Sequence, residues 1–593
     1  MADTPIIDIQ NVTFTYPGAE QPTLNDVSLT IKKGEFVAFI GRNGCGKSTL
    51  CKTLNGLIPH YYVGDFSGTV ITNGLNTSVH NVADLSRHVG YIYQDFENQL
   101  VRPTVEEDVR FTRLNYGFRD FKERAAYILA MTGLAPHAQQ FIWQLSGGQM
   151  HLLALAGALA MDPDIMIIDE PIAQLDPQHA REIYTFLKKL NQDYGKTIVV
   201  IEHHTEFIAD FCDQVVLMDQ GKLLWKKPAK EALTRIHELT EKQIFPPQVT
   251  QAAYAHMPNL KPETSYPVTL DEAERFFRRA DIPFMTAEGQ KNNEQKQGHD
   301  HPLPVHSEAS PLIVFDQVSL AFKTMGKEKR TVLQNLDLSI HSGDRLAIVG
   351  NNGAGKSTML RLISAILKPT QGKVVVDGLD TRRIGPEKLS GKVALIYQNP
   401  EEMFIEDSIR KDMEYFLKAR KHPRTKEWVD ELLERFELTH LQHRDGRLLS
   451  GGQQRKASMA IGAAMNPQIM MLDEPTANLD MATRRDMLRM FEQLQGIVDT
   501  VIIATHDMQL VAEWSNRIFV MHQGHLLQDG DTETVFNDHT LLQTAGLVPP
   551  QIMELAHRLW GSEYNSGYCY STERFLEALR YKGSQLEAAY GSR

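Results

Sequence analysis

Cysteine is scarce. The four in 593 residues (Cys45, Cys51, Cys212 and Cys569) share no paired spacing, so neither a disulfide framework nor a zinc site is indicated, and a reducing compartment is expected. Long apolar runs are missing as well: no stretch approaches the roughly eighteen uncharged apolar residues of a membrane span. The opening Met1-Ala2-Asp3-Thr4-Pro5 lacks the basic start and apolar run of a signal peptide. Any membrane contact is therefore expected to run through a partner. Positive charge is in deficit, with 62 Lys and Arg against 74 Asp and Glu and a net charge of −12. That balance argues against a nucleic-acid binder, whose affinity comes from clustered Lys and Arg. The chain is too long for one core, and its 42% hydrophobic content is that of globular material.

What is present is one domain written twice. Gly41-Arg42-Asn43-Gly44-Cys45-Gly46-Lys47-Ser48-Thr49 returns as Gly350-Asn351-Asn352-Gly353-Ala354-Gly355-Lys356-Ser357-Thr358. Each follows an apolar run and precedes a helical pattern, the context a phosphate-binding loop requires. The glycines let backbone N–H groups curl around phosphate oxygens, and the helix start adds partial positive charge. Lys47 and Lys356 would reach the β- and γ-phosphates, and Ser48 and Ser357 would ligate Mg²⁺.

Further motifs follow in the same order in both halves. Early strands end on Tyr16 and Phe322, which suit either an adenine face or a core position. Buried strands then end on Gln94 and Gln398, whose amide oxygens can help ligate Mg²⁺ and orient water. Acidic segments come next: Asp95, Glu97, Glu106, Glu107 and Asp108 in one half, Glu401, Glu402, Glu406 and Asp407 in the other. Leu145-Ser146-Gly147-Gly148-Gln149 and Leu449-Ser450-Gly451-Gly452-Gln453 each open a long helical stretch. The interval from Ser146 to Asp169 equals that from Ser450 to Asp473, 23 residues. Asp169-Glu170 and Asp473-Glu474 end apolar runs that read as strands covered on both faces. There the aspartates would hold Mg²⁺ through water and the glutamates would polarise attacking water. His203 and His506, at later strand ends, could donate to a γ-phosphate oxygen; His204 is a competitor that register disfavours.

This motif set resembles the nucleotide-binding domains of ATP-binding cassette (ABC) proteins in both halves. The resemblance implies an α/β fold of two tandem cassettes, each a mostly parallel sheet with an antiparallel subdomain, a helical subdomain and a short C-terminal extension. The expected boundaries are 1–240 and 241–285 for the first cassette and its extension, 286–311 for a Gln- and His-rich linker, and 312–545 and 546–593 for the second pair. It also implies that two ATP molecules, with Mg²⁺, lie in an internal pseudo-dimer. Each would be held by one half's phosphate loop (Gly41, Gly44, Gly46, Lys47, Ser48, Thr49; Gly350, Gly353, Gly355, Lys356, Ser357, Thr358) and the other half's signature (Ser450 and Gly452; Ser146 and Gly148). Catalytic roles then fall to Gln94, Glu170 and His203 and to Gln398, Glu474 and His506, with Asp169 and Asp473 at the metal.

The tails, Pro246-Pro247-Gln248 and Pro549-Pro550-Gln551, together with Tyr93 to Leu100, resemble the ATPases of energy-coupling factor transporters. That likeness implies a peripheral subunit on the cytoplasmic face of the membrane, driving uptake of a vitamin or metal ion. It implies as partners an integral coupling subunit whose arginines meet the acidic segments, and a separate substrate-binding membrane protein. A soluble twin-cassette ATPase acting on ribosomes or nucleic acid is the alternative, against which the acidic balance stands. The halves differ after the signature, where Met150-His151-Leu152 faces Gln454-Arg455-Lys456. Cys45, inside the first loop, is expected to be alkylated unless ATP protects it.

Overall fold

The computed structural model describes residues 5–172, 175–258, 265–279, 310–323, 329–477, 481–561 and 569–579. The expected linker, 286–311, lies almost entirely outside them. The chain divides into two compact units, Met1–Phe276 and Phe277–Arg593. Among the described residues no helix is long and apolar enough to cross a membrane.

In the first unit, β1 (Pro5–Thr15), β2 (Leu24–Lys32), β3 (Phe36–Ile40), β4 (Asp65–Thr72), β5 (Leu75–Asn76), β6 (Val89–Ile92), β7 (Ile165–Asp169), β8 (Thr197–Ile201), β9 (Gln214–Asp219) and β10 (Lys222–Pro228) form two sheets. One is antiparallel, in the order β2-β1-β4-β5; the other runs β10-β9-β3-β8-β7-β6. In the second sheet only β10 is antiparallel. Burial separates the two. β1 and β2 alternate buried and exposed residues, as a strand with one wet face must, whereas every residue of β3, β7 and β8 is buried. The parallel order directs the C-terminal ends of β3, β6, β7 and β8 to one edge, where ligands gather in such sheets.

The second unit repeats both sheets. Its phosphate-loop strand Arg345–Val349 lies parallel between Thr500–Thr505 and Arg517–His522, and Ile469–Asp473 pairs with Thr500–Thr505 on the far side. The fold class implied by the repeated motifs is thus the one found.

Helices cover the parallel sheet through single faces. Pro177–Gln192 starts with Asp176, whose carboxylate accepts the His179 N–H at 3.0 Å, and with proline in its first turn. Ala180, Ile183, Tyr184, Leu187 and Leu190 are buried at helical spacing. Leu187→Ala is expected to destabilise the first unit by about 2–5 kcal/mol, against about 0.5 kcal/mol or less for exposed Lys189→Ala. Denaturant titration followed by a probe in that unit checks the difference.

Candidate functional site

Each phosphate loop closes on itself. Gly41 and Gly350 have φ of 151° and 152°, and a Cβ there would lie 2.4 Å from the Met218 carbonyl oxygen or 2.3 Å from that of Met521. Only glycine fits so near another backbone. The buried Lys47 ammonium donates to the carbonyls of Gly41 (2.7 Å) and Arg42 (3.1 Å), and Lys356 donates to Gly350 (2.7 Å). Helices Lys47–Leu54 and Lys356–Ile363 begin with no side-chain cap. Their first N–H groups are therefore left to an anion. Tyr16 packs edge-on against Phe14, and its hydroxyl lies 3.4 Å from that of Thr49, beside the loop. Phe322 is 43% exposed at its strand end.

Asp169 and Asp473 are buried at the ends of their strands. Burial raises both carboxyls, and hydrogen bonds from Ser48 and Ser357 oppose it; Ser357 Oγ donates to Asp473 Oδ1 at 2.9 Å. A hydroxyl and a carboxylate in contact, with a glutamine amide on the adjoining strand end, form the hard oxygen set that suits Mg²⁺. The residues present fit that ion.

Glu170 and Glu474 have φ of 53° and 45°, a left-handed backbone that costs a non-glycine residue about 1 kcal/mol or more. The turn gives each carboxylate different company. Glu170 accepts from Gln94 Nε2 at 2.7 Å and meets His203 Nε2 at 3.2 Å. His204 does not join them and instead precedes helix Thr205–Phe211. Glu474 lies 3.4 Å from Lys356 Nζ and 3.0 Å from His506 Nδ1, and accepts from Thr505 Oγ1 at 3.2 Å. Burial alone would raise Glu474, but the charge and hydrogen bond of His506 and the charge of Lys356 outweigh it and bring it to about 2. Burial likewise lowers His506, and Glu474 more than reverses it.

The signature motifs have a local role as well. Ser146 N–H donates to Gln149 Oε1 (3.0 Å) while Ser146 Oγ accepts Gln149 N–H (3.3 Å), a capping box that starts helix Gly147–Leu159. Ser450 N–H donates in the same way to Gln453 (3.2 Å). A Cβ on Gly148 would fall 2.6 Å from the His179 ring, and one on Gly452 2.8 Å from Thr483 Cγ2. Close packing against the next helix thus requires the second glycine of each motif.

Sequence reasoning missed Glu202. Fully buried, it accepts from the His203 and His204 N–H groups (2.7 and 2.9 Å) and the Tyr184 hydroxyl (2.7 Å), and so holds the turn that presents His203. A charge closing an apolar strand where the twin has Thr505 was the available signal.

Two expectations need correction. Asp108 is not a surface acceptor: its carboxylate accepts the N–H groups of Val101 (2.8 Å) and Arg102 (3.0 Å), as Asp412 does for Ile405 and Glu406. An unpaired loop backbone claims the carboxylate nearest to it. Cys45 is 5% exposed and burial raises its thiol, so slow alkylation is expected there even without ATP.

The Glu474–His506 pair gives the second unit a pH signature. The depressed Glu474 contributes stability above about pH 4.5 that is lost as pH falls toward about 2. The raised His506 contributes fully below about pH 6.5, and its part is lost as pH rises through the folded value. Glu474→Gln should therefore cost most stability between those limits and less on either side. Melting temperatures of the second unit's transition across pH, without Mg²⁺ or nucleotide, check this.

The family model described as ABC transporter matches residues 24–173 and 333–477. Two proteins described as "Putative ABC transporter ATP-binding protein" are similar over nearly their whole length. One, from Methanosarcina acetivorans, is 32% identical, covering 93% of this chain and 90% of its own. The other, from Methanosarcina mazei, is 31% identical, covering 99% and 98%. The solved structure of cbiO1 from Clostridium perfringens, titled part of the ABC transporter complex cbiONQ, is 28% identical over 40% of this chain and 96% of its own, with a TM-score of 0.37. The chain belongs to the ABC transporter family and carries two of its ATPase domains in one polypeptide.

Proposed function

We propose that this chain is the ATP-hydrolysing subunit of an energy-coupling-factor-type transporter that takes up a small substrate, a vitamin or a metal ion. One observation carries the hydrolytic part: in each unit a glutamate on a left-handed strand tip meets the histidine of the neighbouring strand end, with Gln94 beside Glu170 and the phosphate-loop Lys356 beside Glu474. In the reaction Lys47 and Lys356 leave their loop carbonyls for the β- and γ-phosphates. Glu170 and Glu474 take a hydrogen bond from the attacking water, and His203 and His506 donate to the γ-phosphoryl oxygens as ADP departs. Ser48, Asp169 and Gln94, and Ser357, Asp473 and Gln398, would hold Mg²⁺, which when bound neutralises charge on the β- and γ-oxygens.

Two features support a membrane partner of the coupling-subunit kind. Asp95, Glu97 and Glu107 are exposed close in sequence to Val101, which is 57% exposed. Phe141, bridged to Thr104, stacks on Trp143, 58% exposed. Carboxylates beside bare aromatic surface suit a short helix that presents arginine and apolar side chains. The tails also match: Pro247 and Pro550 stand before helices Gln248–His256 and Gln551–Trp560 with nearly the same backbone angles. The subunit would then sit at the cytoplasmic face of the membrane, next to the coupling subunit and a separate substrate binder.

Glu170→Gln and Glu474→Gln together are expected to cut ATP turnover about 100-fold or more while leaving nucleotide binding intact. Turnover that survives the double change removes the glutamates from the mechanism. Reversing Glu97 and Glu107 to Lys should abolish copurification of small, very apolar membrane proteins without altering ATP affinity; retention of those proteins would count against the partner.

A further inference from the structure

Five residues after the signature serine, the two units carry different side chains for the same task. In the second unit Arg455, 3% exposed on the signature helix, donates through Nη1 to the Tyr397 carbonyl (3.1 Å) and through Nη2 to the Gln398 carbonyl (2.9 Å). Burial lowers its guanidinium, but only to about 10, and Glu474's charge pulls the other way. Arg455 is therefore a cation at neutral pH, and the backbone of Gln398 hangs from the helix that Ser450 opens.

In the first unit that place belongs to His151, 2% exposed. Neither ring nitrogen has a hydrogen-bond partner among the described residues, and the ring stacks on Phe96 at 4.5 Å. Burial brings it to about 4, so it is neutral. The segment before Gln94 is held from its own side instead. Gln99 accepts the Tyr93 N–H at 3.0 Å and donates to the Tyr91 carbonyl at 3.0 Å. In the second half Gln99's place in the motif is taken by Met403, which has no such group.

We propose that Arg455 is a positioning residue that ties the placement of Gln398 to the second unit's signature helix by two charged hydrogen bonds, whereas in the first unit His151 meets the segment after Gln94 by ring stacking and Gln99 supplies the polar clamp. The inference rests on the proposed role of the glutamines. It follows that a shift of the helix that Ser450 opens is felt at Gln398 through Arg455, while among the described residues His151 gives the helix that Ser146 opens no polar link to Gln94. Turnover at the two phosphate loops therefore depends unequally on the residue five places after the signature serine.

The test measures kcat and KM in the full chain with one site silenced, Glu170→Gln leaving the second site and Glu474→Gln the first. In the Glu170→Gln chain, Arg455→Met is expected to lower kcat about tenfold with KM within about twofold, the loss of charge-assisted bonds to two carbonyls. Arg455→Lys should recover part of that loss. Adding Met403→Gln, which supplies the first half's internal clamp, should recover most of it. In the Glu474→Gln chain, His151→Phe should leave kcat within about twofold. Melting temperatures and active-fraction titration correct each kcat for misfolded protein. An unchanged corrected kcat in Arg455→Met, or an equal loss in His151→Phe, overturns the proposal. If neither single glutamate change lowers turnover, the catalytic assignment falls first and this inference falls with it.

Discussion

A buried ammonium is the constraint on which each unit depends. Lys47 and Lys356 are removed from water at about 5% exposure, and an unpaired charge in such a place costs several kcal/mol. The loop's first carbonyl answers the charge, and in the second unit Glu474 does so too. That carbonyl is available only because Gly41 and Gly350 adopt a conformation that lets the chain turn under Met218 and Met521. The sheet order then places the carboxylate and histidine strand ends on the same edge. Remove the turn, and the lysine has neither its resting partner nor its approach to the phosphates.

Much of the fold was legible because its motifs are local. A glycine-rich turn between an apolar run and a helix, or two carboxylates ending a wholly apolar strand, keeps its meaning within a few residues, and repetition at equal intervals removed most ambiguity. Contacts fixed by tertiary packing were not legible. Nothing near Asp108 in sequence says that its carboxylate closes the Val101–Arg102 backbone while Glu107, one position before, stays exposed. Glu202 could not be told from a solvated strand-end acid until Tyr184 was placed over it. Cys45 looked reactive from its motif and is shielded by its packing.

The halves share architecture but not electrostatics. Glu170 rests between the Gln94 amide and the His203 imidazole, whereas Glu474 lies in a cluster with Lys356 and His506. The residue before the histidine is buried Glu202 in one unit and buried Thr505 in the other. Such differences leave the order of the sheets unchanged, because they exchange one way of satisfying a buried polar group for another.

The left-handed glutamates carry a consequence for how such a chain evolves. Glycine or asparagine would occupy that backbone with less strain than glutamate, but in the second unit the exchange would also take away the carboxylate that answers buried Lys356 and His506. Folding stability therefore guards Glu474 at neutral pH more than Glu170, whose side chain meets Gln94 and His203. With two copies in one polypeptide, a site whose turnover becomes redundant is lost more cheaply from the first unit than from the second. The duplication thus leaves the two halves unequally open to mutational silencing.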